Sequence, residues 1–198
     1  MSNATLERPE TAAPNAFTQA ELGWNAWLDP VPESALTERQ KEGLVDIVRA
    51  KSAYFRLLAH DPDILRFRTL ADKDIFYNTR AGLPRAEREL AAAAVSRSNG
   101  CIYCASVHAR FASTYSKRSD DVQRLLDEGV NVDLDPLWNA VVEASVALTA
   151  TPVAFGPEHV RQLRAVGLDD LAIADLIHSA AFFNWANRLM LSLGEPEA

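Results

Sequence analysis

The chain has 198 residues, of which 48% are hydrophobic and 24% charged, and its formal net charge is −7. This length and composition predict one compact domain. An acidic chain without a clustered run of Lys and Arg argues against nucleic acid or an anionic membrane as a partner. The longest stretch without a charged residue, residues 144–157, contains Pro152 and is shorter than the about 20 apolar residues of a membrane-spanning helix. The first residues also lack the apolar stretch of a secretory signal, so we expect a cytoplasmic protein.

The N-terminal region is expected to change character at about residue 17. Residues 1–16 are rich in Ala, Thr, Pro and Asn, with too little apolar content to offset the entropy of ordering, so we expect a flexible arm. Residues 17–198 are expected to form a single helical domain with its motif region at about residues 80–125. The aromatic content rises between residues 17 and 32, and a short helix ending near Pro30 is expected there.

Helices with clear start and stop signals follow from residue 37 onwards. A capping box at Thr37 and Gln40 begins a helix that continues to His60. Start and stop signals, mainly Gly, Pro and helix-capping side chains, separate the later helices, which are expected at residues 61–79, 82–98, 101–115, 119–129, 136–149, 157–163 and 169–194. No alternating apolar pattern bounded by turns indicates a strand. We therefore predict an all-α fold of about eight or nine helices.

The only two cysteines, Cys101 and Cys104, are three residues apart. A disulfide between them would close almost no loop, so the pair is placed for chemistry or metal binding rather than for stability. The preceding helix stops at the Ser98-Asn99-Gly100 turn, which puts both thiols in the first two turns of the next helix. Free backbone N–H groups and the helix dipole favour thiolate over thiol there. Side chains three residues apart share a helix face, so the sulfurs can form a reversible redox couple.

Two further residues could exchange protons with these thiols. His108 follows Cys104 by one helical turn on the same face, so its imidazole can point toward that sulfur. Glu89 interrupts the apolar Ala and Leu face of the preceding helix, and it reaches the thiols only if the two helices fold back as a hairpin. A buried carboxylate is costly unless it is paired, and a His–Cys site is one natural partner. A solvated helix position for Glu89 stays open.

The motif consists of Glu89, eleven residues, Cys101-x-x-Cys104, three residues and His108, with Asn99-Gly100 before the first cysteine. It resembles the carboxymuconolactone decarboxylase and AhpD-like superfamily, specifically its peroxidase-related, alkylhydroperoxidase-like branch. The resemblance is strongest over residues 80–125, and residues 182–194 also look like that branch. The resemblance implies an AhpD-like helical fold with the Cys-x-x-Cys motif at a helix N-terminus.

The family resemblance also implies a dithiol peroxidase, an antioxidant oxidoreductase with a redox-active disulfide. By this resemblance Cys104 attacks the peroxide O–O bond and becomes a sulfenic acid, which Cys101 resolves into a disulfide. Glu89 and His108 would relay, through water, the proton that activates Cys104. The implied chemistry uses a hydroperoxide substrate and an external dithiol or thioredoxin-like reductant, and it needs no bound cofactor or metal. The family further implies a homo-oligomer, either a trimer or a hexamer.

Four other positions carry weaker expectations. The AhpD pattern has a second histidine where this chain has Tyr103, a poor base near neutral pH, so a weaker proton relay or a different substrate preference is expected. Tyr103 could equally be a packing residue. His178 precedes two aromatic residues at helical spacing, which favours a packed histidine, although it could line the same pocket as the thiols. Asn184 and Asn187 lie on a largely apolar helix and are expected to hydrogen-bond to a neighbouring helix or subunit.

Three other interpretations of the thiol pair stay open. The first is a redox-sensing or binding protein in which the dithiol switches conformation without turnover. The second is a zinc-binding structural module with Cys101, Cys104, His108 and Glu89 as ligands, although such modules usually pair two ligand clusters. The third is a pair of buried thiols with a hydrogen-bonded histidine and no chemical role. Each interpretation predicts a different arrangement of side chains around the two sulfurs.

Overall fold

The computed structural model describes residues 14–197, and most of the arm expected at residues 1–16 lies outside the described residues. The division into an arm and a single domain stays a prediction. The all-α fold is confirmed. Within the described residues the α-helices are α1 (Glu38–Gly43), α2 (Ala53–Leu58), α3 (Pro62–Tyr77), α4 (Arg85–Asn99), α5 (Ile102–Ser116), α6 (Ser119–Glu128), α7 (Pro136–Thr149), α8 (Pro157–Ala165) and α9 (Asp170–Leu193). The short strands are β1 (Gly23–Ala26) and β2 (Gly194–Glu197).

A two-stranded sheet replaces the helix expected between residues 17 and 32. Strands β1 and β2 pair antiparallel, with Ala26 opposite Gly194. Gly194 permits this pairing, because a Cβ atom there would come within 2.3 Å of the Asn25 carbonyl oxygen. The expected helix is therefore wrong: the backbone groups of this segment bond to the far end of the described chain, which local sequence does not reveal.

The single helix expected from residue 37 to His60 is interrupted in the structure. The capping box at Thr37 is present, and its side chain accepts a hydrogen bond from the Gln40 backbone N–H. The chain then turns at Val45, whose φ of +64° lies in the left-handed region. A 3₁₀ helix at Ile47–Lys51 and helix α2 continue the segment. The apolar spacing was helical throughout, and it did not reveal this break.

Helix α4 lies at the centre of the packing and positions the site. Its consecutive residues Ala91–Val95 are fully buried, and their small side chains let α5, α7 and α9 pack against it. The helix ends at Gly100, whose φ of +80° is the left-handed conformation that favours glycine. This turn directs α5 back against α4. The helical hairpin that Glu89 needs in order to approach the thiols is therefore formed.

The surface of the described region includes apolar side chains on α3. Ile64 and Phe67 are 55% and 65% exposed, and the expected homo-oligomer stays a prediction. Between residues 14 and 197, no helix combines the length and the apolar character needed to cross a lipid bilayer.

Candidate functional site

The turn between α4 and α5 holds the two thiols at the start of α5. Cys101 is the N-cap residue of α5, and Cys104 lies in its first turn. Both are free thiols, and their exposed fractions are only 2% and 4%. The Cys101 backbone N–H donates to the Ser96 carbonyl at 2.9 Å, and the Cys101 carbonyl accepts from the Ala105 N–H at 2.9 Å. These bonds fix the backbone from which both sulfurs project.

The two thiols differ in how readily they ionise. A hydrogen bond from the Cys104 side chain lowers the pKa of Cys101, aided by the Cys104 backbone N–H and by Asn187, while burial opposes the shift. Burial raises the pKa of Cys104 well above its ordinary value, and the neighbouring Cys101 sulfur raises it further. The first negative charge of the pair therefore resides on Cys101, with Cys104 as the hydrogen-bond donor. The lowered pKa of Cys101 thus comes first from its hydrogen bond with Cys104. For Cys104 burial outweighs the stabilisation of a thiolate that the helix start was expected to give.

Asn187, on α9, holds the thiol pair from the opposite side. Its side chain is fully buried, its amide donates to Ser96 Oγ at 3.0 Å, and its Oδ1 accepts from Asn99 Nδ2 at 3.1 Å. Hydrogen bonding to Asn187 also lowers the pKa of both cysteines. Sequence reasoning assigned Asn187 to contacts between helices and missed its contact with the thiols. The available signal was an amide on the buried face of an otherwise apolar helix.

Replacing Asn187 by alanine is expected to raise the pKa of Cys101 and to slow its alkylation near neutral pH. The variant also removes the buried hydrogen bonds to Ser96 and from Asn99, at a cost of about 1–3 kcal/mol in the free energy of unfolding. The rate of alkylation by iodoacetamide, followed against pH by mass spectrometry, measures the first effect.

Asn184→Ala is the matched control for this substitution, because Asn184 lies one turn earlier on α9 and bonds Thr149 and Asn99. It is expected to leave the alkylation profile of Cys101 unchanged. Identical profiles for the two variants would contradict a role of Asn187 at the thiols.

Glu89 and His108 form a buried hydrogen-bonded pair between α4 and α5. Glu89 Oε2 lies 2.6 Å from His108 Nδ1, and the two residues are 1% and 7% exposed. Arg85 Nε donates to the other carboxylate oxygen at 3.0 Å, which supplies a compensating charge for the buried Glu89. An ionised carboxylate only accepts, so Nδ1 carries the proton and Nε2 of the neutral ring is the basic nitrogen.

Aromatic rings fix the orientation of the imidazole. The His108 ring meets Phe183 edge to face, with 3.9 Å between the ring centroids, and it lies 5.2 Å from the Phe76 centroid. Phe183 belongs to α9 and Phe76 to α3, so elements distant in sequence clamp the ring against Glu89. The imidazole is thereby held in one place relative to the thiol on the same helix.

A cavity of about 250 Å³ connects the thiol to the acid–base pair. Cys104, Glu89 and His108 all line it, and Tyr103, Phe76 and Phe183 form part of its aromatic wall. Four of the residues expected at the site, Glu89, Tyr103, Cys104 and His108, are therefore brought together around one space. A small molecule in that space can contact the Cys104 sulfur and the imidazole at the same time.

Residues 62–147 match the model of the carboxymuconolactone decarboxylase family. That segment contains the complete Glu, Cys-x-x-Cys and His motif. Over this segment the chain is similar to the carboxymuconolactone decarboxylase family. No curated protein matches the sequence at a significant level.

Solved structures share this AhpD-like fold at low sequence identity. An uncharacterized peroxidase-related protein from Ralstonia eutropha JMP134, an alkylhydroperoxidase AhpD core, is 21% identical with a TM-score of 0.70, over 88% of this chain and 90% of that one. A peroxidase-related protein from Silicibacter sp. TM1040 is 23% identical with a TM-score of 0.65, over 98% and 96%. The debrominase Bmp8 is 16% identical with a TM-score of 0.66, over 85% and 90%. At these identities the likeness establishes the fold.

Cys101 faces a different space from Cys104 in this AhpD-like chain. It lines a second cavity of about 130 Å³, together with Trp24 of β1 and Gly194 of β2. Tyr103 lines both cavities and lies between them, and burial raises its pKa. The two thiols thus line two different cavities.

His178 does not join the AhpD-like site. It is exposed and lines a separate cavity with Asp74 and Asp175. The expected packed position of His178 is wrong: Phe182 and Trp185 follow it on the same face, but the buried face of α9 carries Leu176 and Phe183. His178 lies two residues, about 200° around the helix, from Leu176.

Metal-ligand geometry is absent from the part of the AhpD-like chain that the structure describes. No group of three His, Cys, Asp or Glu side chains between residues 14 and 197 is arranged to hold a metal ion. The zinc interpretation required both cysteines, His108 and Glu89 to converge, whereas Glu89 and His108 are hydrogen-bonded to each other. A carboxylate bonded to an imidazole in this way is suited to proton transfer.

Proposed function

We propose that this chain is a thiol-dependent peroxidase that reduces hydroperoxides through a sulfenic acid on Cys104. One observation carries the proposal: Cys104 lines the same cavity as the Glu89–His108 pair, while Cys101 is its hydrogen-bond partner. The peroxidase-related proteins of the same fold support this assignment. The pKa is raised for Cys104 and lowered for Cys101, which suits different roles for the two thiols in the reaction.

In the first step the Cys104 sulfur attacks the distal peroxide oxygen. The thiol proton passes through water to His108 Nε2, and Glu89 stabilises the resulting imidazolium through Nδ1. The sulfur–oxygen bond forms while the O–O bond breaks, and the departing alkoxide takes the proton from the imidazolium. One thiol and one hydroperoxide therefore give one sulfenic acid and one alcohol.

In the second step Cys101 resolves the sulfenic acid. Its lowered pKa makes it the readier thiolate of the pair, and its attack on the Cys104 sulfur forms the disulfide. The sulfenic hydroxyl leaves and takes up a proton as water. This condensation protects Cys104 from further oxidation to the irreversible sulfinic acid.

An external dithiol closes the cycle. Its two thiols reduce the Cys101–Cys104 disulfide and are themselves oxidised to a disulfide, so electrons pass from the dithiol to the hydroperoxide. A small dithiol or a thioredoxin-like protein both fit this chemistry. Because Cys101 lines the second cavity, we place the attack of the reductant at that sulfur.

A steady-state assay with tert-butyl hydroperoxide and dithiothreitol tests the proposal. The peroxidase is expected to consume many equivalents of hydroperoxide per chain while the dithiol is oxidised in equal amount. The redox-sensing alternative predicts consumption of one equivalent, followed by a stable disulfide that the dithiol does not return to turnover. Consumption limited to one equivalent would overturn the peroxidase proposal.

A further inference from the structure

The wall of the Cys104 cavity also carries buried hydrogen-bond donors without acceptors. The Arg68 side chain, on α3, is 7% exposed and lines the cavity together with Tyr54. Within residues 14–197, Arg68 Nε and Nη1 and the Tyr54 hydroxyl have no hydrogen-bond partner. Leaving a buried donor unpaired costs about 1–3 kcal/mol, and more for a charged group. Such groups are rare in folded proteins unless a ligand satisfies them.

The groups around Arg68 do not supply hydrogen-bond acceptors for these N–H groups. Its guanidinium lies 5.8 Å from the Tyr54 ring centroid and 5.2 Å from that of Phe182, and ring faces attract the charge without accepting its N–H groups in a fixed direction. Asp72 Oδ2 is 3.7 Å from Arg68 Nη1, beyond hydrogen-bond distance. Asp72 therefore forms an ion pair with Arg68 without a hydrogen bond, and Arg49, which also lines the cavity, adds a second positive charge.

The geometry points to a carboxylate-binding subsite at Arg68 and Tyr54, and we infer that the substrates of this site are hydroperoxides that carry a carboxylate. The part of this inference that concerns the hydroperoxide group rests on the proposed peroxidase function. A carboxylate offers two acceptor oxygens, which match the guanidinium fork and the Tyr54 hydroxyl. Arg68 and Cys104 line one cavity, so a substrate whose carboxylate binds Arg68 has its peroxide group in the same space as the Cys104 sulfur.

The rest of the cavity fits the body of such a molecule. Phe76, Phe183 and Met190 also line the cavity, and apolar contact with them suits an alkyl or aryl chain. Glu89 is the other carboxylate in the lining, and Arg85 and His108 already bind it. It therefore does not compete for Arg68. The cavity thus combines positively charged, apolar and thiol groups in one lining.

A matched pair of substrates tests the subsite through activity. We compare kcat/KM for a tertiary-alkyl hydroperoxide bearing a terminal carboxylate with that for its methyl ester. The wild type is expected to prefer the acid by about tenfold or more, the value of one charge-assisted contact. Arg68→Gln should abolish this preference, and Asp72→Asn, which removes the nearby negative charge, should increase it.

Arg66→Gln is the matched control, since Arg66 lies on the same helix, is exposed and lines a different cavity. It removes the same charge and should leave the preference intact. If Arg68 only stabilises the Cys104 thiolate, Arg68→Gln would slow acid and ester equally. An unchanged ratio in that variant, or no preference in the wild type, would overturn the inference.

Direct binding separates this inference from the peroxidase proposal. Calorimetric titration of the reduced protein with phenylacetate and with neutral phenylacetamide needs no turnover. Phenylacetate is expected to bind more tightly, and Arg68→Gln should remove the difference. Binding of phenylacetate that depends on Arg68, without turnover of peroxide, would support the anion subsite and overturn the peroxidase proposal. Equal affinity for acid and amide would overturn the subsite, whatever the activity.

Discussion

Replacement of Cys104 by serine will abolish hydroperoxide reduction, although Cys101 is the thiol with the lowered pKa. Ionisation alone does not select the nucleophile, because the peroxide must reach the sulfur and find a proton for its leaving oxygen. Cys104 lines the larger cavity with His108, whereas Cys101 lines the smaller one. Hydroperoxide consumption with dithiothreitol in excess should fall to the rate without protein. Near-wild-type consumption of hydroperoxide by Cys104→Ser would show that Cys101 is the nucleophile.

Cys101→Ser is the companion variant and should behave differently. It keeps the nucleophile and the acid–base pair, so it should consume one equivalent of hydroperoxide and then accumulate sulfenic or over-oxidised Cys104. Loss of the Cys101 sulfur also removes an interaction that raises the pKa of Cys104. The single-turnover rate should therefore reach its plateau at lower pH than in the wild type. Mass spectrometry of the oxidised cysteine and a stopped-flow pH series measure both effects.

The sequence predicted the residues of the motif better than it predicted the residues from other helices that surround the motif. The two cysteines and His108 share one helix, so their spacing is enough to place them on neighbouring turns. Glu89 needed one further step, the α4–α5 hairpin, which the turn at Gly100 indicates. Local geometry of this kind is encoded over a short stretch of chain. It could therefore be read without knowledge of the remaining helices.

Residues contributed by distant helices could not be placed in the same way. Arg68 on α3 and Asn187 on α9 reach the thiol site through packing against α4, and no sequence spacing connects them to the cysteines. Each did leave a partial signal, namely a polar side chain at an apolar helical position. His178 shows the limit of such signals, because its spacing to two aromatic residues indicated a packed position, whereas that face of α9 is largely exposed.

Replacement of Glu89 by glutamine should slow sulfenic acid formation by about a hundredfold, the lower range for loss of a positioned acid–base group. The amide keeps the shape of the carboxylate and can still accept from Arg85, so the fold should survive at a cost of about 1–3 kcal/mol. If its NH₂ group faces His108, Nδ1 becomes the acceptor and the proton moves to Nε2. The basic nitrogen is then lost, and no carboxylate stabilises an imidazolium.

Glu87→Gln provides the control for this charge removal, since Glu87 lies on the same helix and accepts from Trp138 Nε1 at 3.2 Å, a bond that glutamine can keep. It should react at the wild-type rate. A stopped-flow measurement of Cys104 oxidation under single-turnover conditions isolates the chemical step from reduction of the disulfide. If Glu89→Gln oxidises as fast as the wild type, the carboxylate only holds α4 and α5 together and the proton must leave Cys104 by another route. A slow Glu89→Gln whose disulfide is still reduced at the normal rate would place the defect at proton transfer in the Cys104 cavity, away from the Cys101 side of the pair.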